Sequence, residues 1–239
     1  MKLLLIGKGK MGSLIAQTAQ TAGDEVVAVY GREDLAGLAS RQEPVDAVID
    51  FSAPQTLDAV CDYVRRTGSA LVSGTTGYTP EEKARLEALG AYAPVLWSAN
   101  YSIGIAVFYR LLSQISDTLK PTFDVELTEI HHNQKVDAPS GTAKLLLQAI
   151  DPAGEYTPVY GRQGICGKRD AKEIGVHALR GGTVAGTHTV HFFGPDEELE
   201  ITHRAASRQI FVNGALQMAH RVAGMPKGVY DLQTILFGE

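Results

Sequence analysis

Two adjacent imidazoles, His131 and His132, an ammonium group, Lys135, and the run Pro139-Ser140-Gly141-Thr142 fall in one short stretch of the chain. An imidazole titrates near neutral pH and passes protons, and a cation beside a helix start holds an anion. Residues 124–130 alternate polar and apolar like a half-buried strand, while Ala143, Leu146, Leu147 and Ile150 recur at helical spacing. The reactive groups therefore sit on the turn between a strand and a helix. Proline suits a first helical turn, a small hydroxyl residue suits its cap, and Gly141 lets a ligand approach bare backbone N–H groups. The turn reads as a site for a carboxylate or phosphate, with His132 and Lys135 adding positive charge. Taken singly, each histidine has a plainer role as a structural hydrogen-bonder and Lys135 as a solvated charge; the cluster is what points to chemistry. No metal is expected, because neighbouring strand residues point to opposite faces and no Cys, Glu or third His stands at the usual ligand spacing.

The elements that must position this turn begin with a nucleotide-binding pattern. Residues 3–6 form an apolar run suited to a strand buried on both faces, and Gly7-Lys8-Gly9-Lys10-Met11-Gly12 follows directly before an alanine-rich helical stretch over 13–22. Strand, G-x-G-x-x-G and helix in that order form the dinucleotide fingerprint: Gly7 for the tight turn, Gly9 for access of the pyrophosphate, Gly12 for close helix–strand packing. Further strands read at 25–30, 45–51, 69–73 and 94–98, with helical segments over 55–66 and 80–89, so the first half is an α/β, doubly wound parallel sheet of Rossmann type. Its strand ends carry Asp50-Phe51-Ser52-Ala53, Gly74-Thr75-Thr76-Gly77 and Ser98-Ala99-Asn100-Tyr101, where ligands of such sheets bind. After the second strand the chain reads Tyr30-Gly31-Arg32-Glu33-Asp34. Arg32 suits a 2'-phosphate and favours NADPH, whereas Glu33 keeps NADH open.

From residue 103 the pattern changes to a long amphipathic helix over 103–119, then strands expected at 124–130, 174–178, 187–193, 199–204 and 209–212, an α+β domain with an open mixed sheet. His177, His188 and His191 alternate with apolar residues there and read as surface or interface groups. The stretch 156–170, rich in Gly, Arg and Lys, reads as a long loop. Helices are expected over 214–222 and as a short element near 229–237. The division expected is 1–102 with 213–239 for the dinucleotide and 103–212 for substrate and assembly, with hinges near Ser102 and Asn213.

The 239 residues, 44% hydrophobic and 21% charged with a formal charge of -5, suit a globular protein without a basic stripe, so neither nucleic acid nor membrane is an expected partner. Cys61 and Cys166 form no C-x-x-C motif, which fits a reducing cytoplasm.

In these segments the chain resembles the dihydrodipicolinate reductase family of the diaminopimelate route to lysine. Glu129 to Ala143 match its E-x-H-H-x-x-K-x-D-A-P-S-G-T-A signature, and the N-terminal glycine loop, Asp50-Phe51-Ser52, Gly74-Thr75-Thr76-Gly77, Ser98-Ala99-Asn100-Tyr101-Ser102 and Leu199-Glu200-Ile201-Thr202-His203-Arg204-Ala205 support it. The resemblance implies reduction of a small cyclic dicarboxylate, the dehydrated form of 4-hydroxy-2,3,4,5-tetrahydrodipicolinate, by hydride from NAD(P)H. It implies His131 and Lys135 as proton-transfer groups and His132, Gly141 and Thr142 as substrate ligands, to which the anion-site reading adds Ser140. The cofactor would meet Gly7, Lys8, Gly9, Lys10, Met11, Gly12, Arg32, Gly74, Thr75, Thr76, Ala99, Asn100 and Tyr101. A homotetramer built through the second sheet is also implied. The chain departs from the family in a shorter glycine loop and in Gly31, where many members carry an acidic ribose ligand. The alternatives are another Rossmann-fold amino-acid dehydrogenase and a nucleotide-binding module without catalysis.

Overall fold

A computed structural model describes residues 1–238. In chain order the elements are β1 (Lys2–Ile6), α1 (Lys10–Thr21), β2 (Glu25–Tyr30), α2 (Leu35–Ser40), β3 (Ala47–Asp50), α3 (Leu57–Thr67), β4 (Ala70–Ser73), α4 (Pro80–Ala88), β5 (Pro94–Trp97) and α5 (Ile103–Leu119). They continue with β6 (Asp124–His131), α6 (Gly141–Ile150), β7 (Thr157–Tyr160), β8 (Glu173–Arg180), β9 (Gly186–Gly194), β10 (Glu197–Ala205), α7 (Gln209–Val222), β11 (Gly228–Tyr230) and α8 (Leu232–Phe237). Two compact units result, residues 1–102 with the segment from Gln209 onward, and Ile103–Arg208.

The first unit is built on a six-stranded sheet of order β11-β5-β4-β3-β1-β2, parallel throughout. Consecutive residues Leu3, Leu4, Leu5 and Ile6 are all buried, as they must be in a strand with helices on both faces. From β1 the chain steps to β2 on one side and to β3 on the other, which opens a crevice between the carboxyl ends of β1 and β3. The segment 209–212, expected as a strand, is instead the first turn of α7. Its β-branched and aromatic residues suggest a strand, but Val212, Ala215, Leu216, Ala219 and Val222 are buried at helical spacing and fill the core of this unit. Gly214 lies where a Cβ would overlap the Tyr101 carbonyl, so α7 packs backbone to backbone there.

The second unit carries a mixed five-stranded sheet, β10-β9-β6-β8-β7, in which β6 runs antiparallel to β9 and parallel to β8. One face of β6 presents Val125 and Leu127 to a core shared with Ile105, Phe108 and Leu112 of α5 and Leu146 and Ile150 of α6. The stretch 156–170, expected as a loop, contains the edge strand β7, where Pro158 is tolerated because an edge needs fewer ladder N–H groups. The rest of that stretch is fastened to the sheet: Arg162 donates to both Glu126 oxygens at 3.0 and 2.8 Å, and Arg169 reaches Asp124 at 2.8 Å. Gly175, opposite Glu126 in the register, leaves room for the carboxylate where a Cβ would overlap it. Among the described residues no helix is long and apolar enough to cross a membrane.

Candidate active site

All parallel strands of the first unit end on one edge, and the segments leaving them, with the first turn of α1, carry every residue expected at the nucleotide. Gly7 takes φ +114°, and a Cβ there would overlap the Phe51 carbonyl; a Cβ on Gly12 would overlap the Gly7 carbonyl. Both glycines are therefore demanded by close backbone approach. Gly9 has open space around it and precedes α1 without a side-chain cap, so the amides of Lys10, Met11 and Gly12 form an unblocked helix start. That arrangement fits a pyrophosphate, and the residues present suit a nicotinamide dinucleotide.

At the end of β2, Lys8 is ion-paired with Asp34, which also accepts from the Gly31 amide at 3.1 Å. Arg32 is exposed. Around the position of a Cβ on Gly31, the Glu33 carboxylate and the Lys8 stem each lie at 3.0 Å, so this loop has closed over the place of an acidic ribose ligand. Thr75 and Tyr101 belong to the framework by their side chains. The Thr75 hydroxyl accepts from Ser52 N at 2.9 Å, and the buried Tyr101 donates to Ser73 O at 2.8 Å. Thr76 and Ala99 are exposed, and Gly74 fits only because a Cβ would run into the Phe51 ring. Asn100 turns back to accept from Ser102 N at 2.8 Å. Beneath these loops Asp50, unassigned in the sequence reading, accepts from Ser52, from Ser73 at 2.9 Å and from Tyr78 at 3.2 Å. Burial pushes its carboxyl above the usual range, and the hydroxyls only partly offset this.

In the second unit, the apolar face of β6 changes character along the strand: after Val125 and Leu127 the same face carries Glu129 and His131. His131 lies opposite Arg180 on β8 and Glu129 opposite His188 on β9, so strand pairing assembles four polar side chains on the inner face. Glu129 is wholly buried. It bonds His131 Nδ1, accepts from Arg180 at 2.8 and 3.0 Å, and accepts from Ser140 N at 3.1 Å. Burial raises a carboxyl, but the Arg180 and His131 bonds prevail and hold Glu129 below the usual range. Burial lowers His131 despite Glu129, and the Lys135 and Arg180 charges act in the same direction. His188 reads from the sequence as a surface or interface group. It is instead 3% exposed, with Nε2 3.0 Å from Ser140 Oγ and its ring edge-on to His131, because the register sets it opposite Glu129 on the inner face of the sheet. Burial first, then the neighbouring His131, pushes it down to about 4. His177 and His191 are half-buried and pair with Glu126 and Glu198.

Ser140 caps α6 by accepting from Ala143 N at 3.1 Å, and Gly141, exposed with open space around it, begins the helix. The Ser140 side chain thus serves the cap, while in the first turn Gly141 is exposed and Thr142 half-buried. Lys135 pairs with Asp137 at 2.8 Å, which assigns Asp137 to the lysine and the cap to Ser140. His132, half-buried just after β6, has its amide bonded to Val184 O at 2.8 Å. Donor atoms of Glu129, His131 and His188 lie within 4.8 Å of one another, close enough for a cation. Arg180 already fills both Glu129 oxygens, so a guanidinium takes the place a metal would need.

Two family models together match nearly the whole chain: dihydrodipicolinate reductase N-terminus over residues 1–101 and dihydrodipicolinate reductase C-terminus over residues 104–236. The chain belongs to the dihydrodipicolinate reductase family. A relative from Exiguobacterium sp. (strain ATCC BAA-1283 / AT1b), named 4-hydroxy-tetrahydrodipicolinate reductase, is 42% identical over 98% of this chain and 95% of its own. One of the same name from Staphylococcus aureus (strain JH9) is 40% identical over 98% and 100%. The fold is that of the dipicolinate-bound dihydrodipicolinate reductase from Paenisporosarcina sp. TG-14, with a TM-score of 0.78 at 22% identity, covering 99% of each chain. It also resembles the scyllo-inositol dehydrogenase from Lactobacillus casei with bound NAD(H), with a TM-score of 0.53 at 13% identity, covering 100% of this chain and 90% of that one. As a member of the dihydrodipicolinate reductase family the protein is an oxidoreductase of the diaminopimelate route, and its Rossmann-type first unit is that of an enzyme using a nicotinamide cofactor.

Proposed function

We propose that this enzyme reduces the dehydrated form of 4-hydroxy-2,3,4,5-tetrahydrodipicolinate to 2,3,4,5-tetrahydrodipicolinate, using NADPH in preference to NADH. The observation that carries the reading is a buried, carboxylate-backed imidazole, His131, at the end of β6, followed by a turn that holds Lys135 and leads to the exposed start of α6. The first-turn amides at Gly141 and Thr142 hold one substrate carboxylate, with Lys135 and His132 supplying positive charge. Lys135 exchanges its Asp137 partner for that carboxylate. Bound NAD(P)H supplies the hydride. His131 and Lys135 supply the proton that completes addition across the conjugated double bond, a contribution typically worth about 100 to 10,000-fold. Gly7 to Gly12 carry the pyrophosphate, the Gly74 to Thr76 and Ala99 to Tyr101 loops flank the nucleotide by their backbones, and Arg32 meets the 2'-phosphate.

The test is NADPH and NADH oxidation by purified protein, with substrate generated in place from pyruvate and aspartate semialdehyde by the preceding synthase. Synthase-dependent oxidation that falls about 100-fold or more in His131→Ala and Lys135→Ala, with nucleotide affinity kept, is the expected outcome. Tight nucleotide binding without any oxidation would favour the non-catalytic alternative. The enzyme works in the cytoplasm as a homotetramer in this reading. Support comes from Leu179, 46% exposed, and Phe193, 39% exposed and stacked with His191, on the outer face of the second sheet. Sedimentation of the purified enzyme tests the assembly.

A further inference from the structure

We propose that Glu129, clamped by Arg180, is a positioning residue that fixes His131 as its Nδ1–H tautomer and leaves Nε2 as the atom that exchanges protons. The proposal rests on the reading of His131 as the proton-transfer group.

The argument is a count of donors and lone pairs. Arg180 gives two N–H groups to Glu129 and Ser140 gives its amide. A carboxylate held this way is ionised and can only accept. The remaining contact, to His131 Nδ1, therefore has the proton on nitrogen. In a neutral imidazole the other nitrogen must then be bare. Burial keeps His131 neutral near physiological pH, with Lys135 and Arg180 adding to the effect. His188, the other ring against it, is neutral as well, so no second imidazolium competes for the same carboxylate. Gly186 sits beside the free nitrogen: a Cβ there would come 3.1 Å from His131 Nε2, so glycine at this position sets no side chain against that atom. Glu129 also ties two functions together, because one of its oxygens holds the Ser140 amide at the cap of α6 while the other holds the imidazole. Base orientation and the anion-binding helix start thus share one buried acceptor.

Glu129→Gln separates orientation from simple packing. One Arg180 N–H and the Ser140 amide converge on one Glu129 oxygen, so the amide carbonyl takes that place; its NH2 takes the other, facing His131 and the second Arg180 N–H, which loses its acceptor. Nδ1 must then accept, and the ring changes to its Nε2–H tautomer. Where an acceptor-only carboxylate behind a catalytic histidine is replaced by an amide, turnover falls about 10,000-fold through the wrong tautomer. Imidazole nitrogen-15 spectra near neutral pH, assigned with His131→Gln, read the tautomer directly. The expected results are Nδ1–H in the native enzyme, Nε2–H in Glu129→Gln, a fall in kcat of about 100-fold or more with nucleotide affinity unchanged, and recovery of both tautomer and part of kcat in Glu129→Asp. A native spectrum showing Nε2–H overturns the proposal, and it does so even if Glu129→Gln does not fold. So does a Glu129→Gln enzyme that keeps Nδ1–H. If the tautomer changes as expected while the native enzyme shows no synthase-dependent oxidation, the positioning stands and the reductase reading is what fails.

Discussion

Glu126→Gln removes the negative charge and one of the two acceptor oxygens around which the segment after β7 is organised, and its cost can be worked out beforehand. Burial alone would raise this carboxyl, but hydrogen bonds from Arg162 and His177, the Arg162 charge and Arg169 outweigh it and hold Glu126 at about 2 against an ordinary 4.5. At about 1.4 kcal/mol for each tenfold in proton affinity, that lowering corresponds to about 3 kcal/mol of stability at neutral pH. The Glu126 side chain is 15% exposed and those of Arg162 and Arg169 are 33% and 19% exposed, so solvent screening trims the figure without removing it; about 2–3 kcal/mol is expected. The unfolded carboxyl takes up its proton near 4.5 and the folded one only near 2. The stabilisation is therefore complete above the unfolded value and is lost as pH falls through that window. Urea unfolding of both proteins should show a gap that is constant through the neutral range and shrinks as the solution is acidified below 4.5. A gap below about 0.5 kcal/mol, the size of an ordinary surface change, or one that does not narrow with acid, would refute the assignment of the energy to this carboxylate.

Gly12→Ala should push α1 off β1, because its methyl would overlap the Gly7 carbonyl. About 1–3 kcal/mol of stability and most of the nucleotide affinity should be lost, as read by unfolding and by nucleotide fluorescence titration. Ser140→Ala removes the cap of α6 and the hydroxyl facing His188. It should cost about 1 kcal/mol and raise KM for the dicarboxylate more than it lowers kcat. Arg32→Ala should weaken NADPH but leave NADH almost untouched in competition titrations; equal losses would show that this exposed guanidinium does not read the 2'-phosphate.

The parallel sheet and the His131 turn are legible because both rest on local order. A glycine loop between an apolar strand and a helix, and a cap residue before an amphipathic run, are written in consecutive residues. Glu129 was also within reach, since a strand places it on the same face as His131. Arg180 and His188 were not, because their place depends on the pairing of β8 and β9 with β6, which no nearby residue announces. Strand alternation puts His188 on the face of the buried Val190 and Phe192, but only its cross-strand partner, Glu129, places it at the site. Ile210, Phe211 and Val212 have strand propensity, yet the helical spacing of the buried residues that follow prevails, an instance of tertiary packing overriding local preference. At β7, Pro158 and the surrounding polar residues conceal a short edge strand.

The return of the chain through α7 and β11 has a consequence for biosynthesis. When a ribosome has released residues 1–102, the nascent sheet still lacks β11 at its edge and the helix that packs on α1, β3 and β4. The contiguous segment Ile103–Arg208 can close its own core before that helix has been made. Domains usually form in the order in which they are translated; in this chain the amino-terminal module is the last to be completed. A stop codon just before Gln209 would therefore strike hardest at the part of the protein that was synthesised first.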